Sequence, residues 1–143
     1  MSAELYGDKK LNTDLLKHRN AVKRRTGVAL RAGGMLIRNA AQTKAPVLTG
    51  NLKRSINVEA IETGAVQLAI IGTEVSYAPH MEYGTTAHTI NSSVFIKGVG
   101  WRYIGKHPGT KARPFLRPAF DEQQDAAIAE VEAVLDQLVK KWR

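Results

Sequence analysis

The sequence predicts an α+β domain: a long N-terminal helix, a small antiparallel β-sheet with an extended loop or hairpin, and a C-terminal helix. Three observations carry this. Apolar residues recur at helical spacing over residues 13–44 and again from 118 to the end. Between them, 55–62 alternates and 66–72 runs apolar across a Thr63-Gly64 turn signal, the pattern of a half-covered hairpin. The length, 143 residues, is that of one domain. The expected organisation is an N-terminal arm over 1–12 and a single domain over 13–143, with a long loop excursion at 86–110.

The first helix is capped by Thr13 or Asp14, whose side-chain oxygens can accept from the first-turn amides. Leu15, Val22, Ala29 and Leu36 recur every seven residues, and Leu11, Leu30, Ile37 and Ala40 widen that face. Ala45 precedes Pro46, which pushes it out of the α region and ends the helix. Such a helix is about 48 Å long, more than a domain of this size can bury. It either breaks near Gly27 or Gly33-Gly34 or packs partly on another subunit. Thr49-Gly50-Asn51 reads as a turn. Ile56, Val58 and Ala60 then share one strand face, and Asn57, Glu59 and Ile61 the other.

Residues 77–85 read as a short irregular or one-turn helical piece. The 86–110 excursion holds Gly98, Gly100, Gly105 and Gly109 and two strand-like runs, 94–96 and 101–104. Pro114, Phe115 and Pro118 lead into the closing helix, with Pro118 suited to its first turn. Phe120, Ala127, Ile128, Val131, Leu135, Leu138 and Trp142 form its apolar stripe, and Lys140, Lys141 and Arg143 complement its C-terminal dipole.

Composition narrows the function. The absence of cysteine excludes a disulfide scaffold, thiolate metal sites and thiol catalysis. No apolar run approaches the roughly 20 residues of a membrane span, and the first residues lack the apolar core of a secretion signal. No membrane partner is expected. The net charge of +8 is unevenly spread. Residues 1–55 carry 12 basic and 3 acidic residues, net +9. Residues 56–99 carry 1 and 4, net −3. The remainder carries 8 and 6, net +2. Lys10, Lys17, Arg24, Arg31 and Arg38 recur every seven residues, and the last four form one slowly winding line on a helix. That stripe is the candidate interaction surface. It suits an acidic patch on a neighbouring protein or a row of phosphates.

Reactive chemistry finds little support. His18, His80, His88 and His107 show no metal-ligand spacing. Glu74 and Glu82 read as a strand-end and a helical surface glutamate rather than an acid–base pair. Ser55, Ser76, Ser92 and Ser93 lack a nucleophile elbow, and the glycines form no phosphate loop. No catalytic residue, metal or cofactor is expected.

Three segments carry a resemblance. They are Ala45-Pro46-Val47-Leu48-Thr49-Gly50-Asn51-Leu52-Lys53-Arg54-Ser55-Ile56, Tyr77-Ala78-Pro79-His80-Met81-Glu82-Tyr83-Gly84-Thr85, and Ala112-Arg113-Pro114-Phe115-Leu116-Arg117-Pro118-Ala119-Phe120. In this order they resemble the gene-product-ten-like tail-component family of long-tailed phages, over roughly residues 10–140. The resemblance implies a tail-completion or head–tail joining protein, found in the virion neck or tail and assembled in the host cytoplasm. It implies a homo-oligomeric ring, hexameric by the family pattern, between a head connector or stopper and a tail terminator or tail tube, with non-specific contact to genomic DNA in the channel. The enlarged 86–110 loop departs from the shorter family pattern. Pro46, Gly50, Leu52, Tyr77, Glu82, Gly84, Pro114, Phe115 and Pro118 are the motif positions, read as fold-defining. The residues themselves leave one alternative open: a cytoplasmic nucleic-acid-binding protein that lays its basic helix on phosphates.

Overall fold

The computed structural model describes residues 8–47, 49–63 and 66–140. Residues 1–7 of the expected arm, Leu48, Gly64 of the turn signal, and Lys141, Trp142 and Arg143 of the closing helix lie outside the described residues. The architecture is α+β. Helix α1 (Asp8–Lys44) leads into the short helix α2 (Asn51–Ser55) and the hairpin β1 (Asn57–Thr63) and β2 (Val66–Gly72). Helix α3 (Ala78–Tyr83), a second hairpin of β3 (His88–Ile96) and β4 (Gly100–His107), and helix α4 (Leu116–Lys140) follow. The strands form two separate two-stranded antiparallel sheets.

Helix α1 is longer than expected and unbroken. It begins at Asp8, so residues 8–12 of the expected arm are helical. Thr13 does not cap it. Its hydroxyl donates to the Lys9 carbonyl at 2.8 Å, one turn back inside the helix. Gly33 and Gly34 do not break α1 either. A Cβ on Gly33 would lie 2.6 Å from the Ala127 carbonyl oxygen of α4, and one on Gly34 would lie 2.8 Å from a Val58 methyl of β1. The two glycines let α4 and the first hairpin approach the α1 backbone from different sides. Gly27, which meets nothing within 4 Å, has no such role.

Helix α4 runs antiparallel to α1. Lys44 at the end of α1 bonds Glu122 near the start of α4 at 2.7 Å, while Gly33 meets Ala127 and Val131 further along. At 1.5 Å per residue α4 covers about 37 Å of a helix of about 55 Å. Burial along the seven-residue apolar line follows that coverage. Leu15 is 58% exposed and Val22 37%, whereas Ala29 is fully buried.

The core is the meeting point of the three sequence segments. Ala41, Ala45, Leu52, Ile56, Ala78, Phe115 and Ala119 form one buried cluster. Pro46 ends α1 as expected. Gly50 adopts φ 76°, a left-handed conformation that disfavours side chains, and starts α2. Helix α2 occupies a stretch expected as a turn and strand start, and it drives Leu52 and Ile56 inward.

Candidate functional site

The basic stripe divides once it is folded. Lys17 is exposed and pairs only with Asp14 one turn away, at 3.4 Å. Arg24 and Arg31 are exposed and have no ion-pair partner among the described residues. Arg38 is half-buried instead. Its Nε donates to the Ile56 carbonyl at 3.0 Å, and Gln42 donates to the same oxygen at 3.3 Å. Arg38 therefore holds the entry to β1 and is not part of a free basic surface. Lys23, beside the stripe, pairs with Glu62 of β1. That bond is the main reason the Glu62 carboxyl sits below its ordinary range, against burial, which pushes it up.

Part of the charge split is therefore satisfied inside the chain. Of the four acidic residues in the middle region, Glu62 is paired and Glu82 is buried. Glu59 and Glu74 remain exposed and line a shallow cleft of about 260 Å³ with Ser55, Asn57 and Thr73.

Glu82 is the largest departure from expectation. It is a buried cap on α4 rather than a surface glutamate. Its Oε2 accepts from the Phe115 and Leu116 amides at 2.8 and 3.0 Å, and its Oε1 from the Arg117 amide at 2.9 Å. Pro118 follows with no amide to satisfy, so the first turn is closed. Burial pushes this carboxyl up. The three amide donors and the nearby Arg117 charge outweigh it and hold the group below the ordinary carboxylate range. A glutamate two residues before a glycine in one segment thus caps a Pro-Phe-Leu-Arg-Pro turn in another. Single-sequence reading sees the spacing of each motif but not that they bond to each other.

The remaining motif residues frame this joint. Gly84, at φ 73°, packs against Thr110 and Ala112, where a Cβ would lie 2.5 Å from a backbone oxygen. Thr85 and Thr110 exchange backbone hydrogen bonds at 2.9 and 3.1 Å, closing the base of the second hairpin. Phe115 is 2% exposed and plugs the core, with Pro114 exposed just before it. Tyr77 is 42% exposed and precedes α3 without a side-chain cap.

The 86–110 excursion is a β-hairpin with a register shift between Thr89 and Ser92, here called the arm. Phe95 opposite Trp101 and Ser93 opposite Tyr103 share one face. Phe95, Trp101 and Tyr103 are 60%, 72% and 67% exposed. Phe95 and Trp101 meet edge to face with centroids 5.7 Å apart, and His88 stacks on His107 at 5.1 Å near the base.

Opposite chemistry lines the body. An apolar groove of about 400 Å³ lies between β2 and α4, floored by Leu30, Gly33, Gly34 and Ile37 of α1. Phe120 and Ile128, expected as buried stripe residues of α4, line it and are 49% and 56% exposed. A second cavity of about 510 Å³ shares Ile37, Ile71 and Phe120 and continues it toward Tyr83 and Leu116.

Among the described residues no three His, Asp or Glu side chains gather as a metal site, and no helix is long and apolar enough to cross a membrane. Comparison with curated proteins and with solved structures gives no significant match. One family model matches, over residues 9–84, a little more than half of the chain: "Bacteriophage HK97-gp10, putative tail-component". The matched span holds the first motif segment and the second as far as Gly84, and stops short of the third segment and of the arm.

Proposed function

The chain belongs to this HK97 gp10-like family of bacteriophage tail components, and from that membership we propose that it closes a homo-oligomeric ring at the head–tail junction of the virion. The observation that carries the ring is the uncovered first half of α1. Leu11, Leu15 and Leu16 are 61%, 58% and 44% exposed on a helix that overruns α4 by about 18 Å. Apolar side chains in such a row find cover in a neighbouring subunit. The arm, projecting from the body, supplies a second unlike surface. Unlike surfaces on one chain join head to tail and close into rings.

In this reading the ring is a hexamer that sits between a head connector or stopper and a tail terminator or tail tube. Its work is structural: a continuous collar, with no reaction step. The exposed Arg24 and Arg31 face either the Glu59–Glu74 cleft of a neighbour or the phosphates of DNA in the channel. The first contact sets ring yield, and the second gives only salt-sensitive, sequence-independent binding.

Light-scattering mass with negative-stain imaging, alone and with connector or tail-tube protein, tests the proposal. A closed ring in either condition is the expected result, and a monomer in both overturns it. Reversing Arg24 and Arg31 to glutamate lowers ring yield at physiological salt if the stripe meets the acidic cleft. A free cytoplasmic nucleic-acid binder would instead stay monomeric or dimeric and bind DNA with steep salt dependence.

A further inference from the structure

The chain carries an exposed aromatic face and an exposed apolar groove that do not meet within one molecule. Among the described residues none of β3 or β4 lines either stretch of the groove. The arm makes no extensive contact with any other element. We propose that the aromatic face of the arm seats in the β2–α4 groove of a second copy of this chain. This rests on the ring reading above and names the contact that would build it.

Charge supports a second copy as the occupant. Residues 88–107 hold Lys97, Arg102 and Lys106 and no acidic residue, net +3. Helix α4 holds six acidic residues against Arg117 and Lys140, net −4. Asp121 and Glu132 are exposed along the groove, and Lys97 is exposed in the turn of the arm. Opposite fields of this kind fix register and disfavour like-with-like pairing of two arms.

Backbone geometry fits as well. Consecutive residues Gln67, Leu68 and Ala69 line the groove, so it is bordered by the edge of β2 rather than by one face. Among the described residues β2 pairs only with β1, which leaves that edge open to an added strand. Size is adequate. A nine-residue strand reaches about 30 Å. At their present exposure the three aromatic side chains have about 300–500 Å² left to bury, about half of the roughly 800 Å² that each partner gives to a standard interface. The uncovered half of α1 contributes the rest.

Cysteine cross-linking can test this directly, because the chain has no cysteine of its own. Ser93→Cys lies on the aromatic face and Gln124→Cys lines the groove, and neither removes an apolar contact. The two single variants are mixed with a short bis-maleimide, and oligomer mass is measured on the same samples. A covalent dimer formed only in the mixture is expected. In parallel, Phe95→Ser with Trp101→Ser should raise the subunit concentration needed for assembly on the order of tenfold or more, with the helical circular dichroism unchanged. Rings that form without the mixed product and tolerate the double serine variant overturn this contact and leave the ring reading standing. A cross-link within one chain carrying both cysteines also overturns it. The mixed product in an open dimer supports the contact and sinks the ring. Neither product nor oligomer, both alone and with connector or tail-tube protein added, sinks both.

Discussion

The two hairpins have the same architecture and opposite surroundings. In β1–β2 the alternation of the strands is used. Val58, Ala60, Ala69 and Ile71 turn toward α1 and are half-buried, and Gly34 lets the helix come within contact of Val58. In β3–β4 both faces are open to water, and Phe95, Trp101 and Tyr103 crowd the more apolar one. An isolated two-stranded hairpin is marginally stable in water, and helix packing is what rescues the first. The second is held at its base by the Thr85–Thr110 bridge and along its length by cross-strand pairs. One hairpin is completed by a helix of its own chain, and the other keeps its aromatic side chains exposed to water.

The covered side of that contrast breaks most severely at Phe115. It is 2% exposed and touches the cluster shared by all three motif segments. Phe115→Ala should cost about 4 kcal/mol in denaturant unfolding. Next comes Glu82→Ala, which leaves three amides of the α4 entry without their charged acceptor and should cost about 3 kcal/mol. The Glu82 carboxyl titrates below its ordinary range in the folded chain. Its contribution is therefore complete above the ordinary glutamate range and is lost as pH falls through the lowered folded value. Glu82→Gln should flatten that acid limb of the stability profile. An unchanged limb would mean the carboxylate is not the cap.

Much of this was legible in the residues. Pro46 and Pro118 mark helix boundaries because proline chemistry is local, and the alternation read in 55–62 survives in β1 because α1 covers one face. Leu52 and Phe115 read as core and are core. What the sequence could not show is bonding between distant segments. Glu82 reads as a solvated glutamate until the 113–118 turn folds onto it. Arg38 shares its seven-residue spacing with Arg24 and Arg31, yet only Arg38 faces the Ile56 carbonyl. Gly33 and Gly34 read as breakers because their reason, close approach of α4 and of β1, lies in partners far along the chain. The 86–110 excursion reads as an extended loop or hairpin with strand-like runs at 94–96 and 101–104, and cross-strand pairing carries those strands further, over 88–96 and 100–107.

The glycines of α1 give a smaller and more selective test. Gly33→Ala places a Cβ 2.6 Å from a backbone oxygen of α4, which cannot swing aside as a side chain could. A loss of about 2 kcal/mol is expected. Gly27→Ala meets nothing within 4 Å and should gain about 0.5–1 kcal/mol from helix propensity. Opposite signs from the same substitution six residues apart, read from thermal melts, would establish that only the covered part of α1 is packed.

The smallest effect on the isolated subunit should come from the arm. Trp101 is 72% exposed, so Trp101→Ser removes a cross-strand aromatic pair but no core contact. The global unfolding free energy should move by no more than about 0.5 kcal/mol. Local opening behaves differently. The arm amides should exchange at the low-stability end, and loss of the pair should speed them several-fold while β1–β2 amides stay slow. Hydrogen exchange on the subunit resolves the two hairpins separately. If Trp101→Ser lowered the global stability as Phe115→Ala does, the arm would be part of the body's core, and the contrast between a covered and an uncovered hairpin would fail.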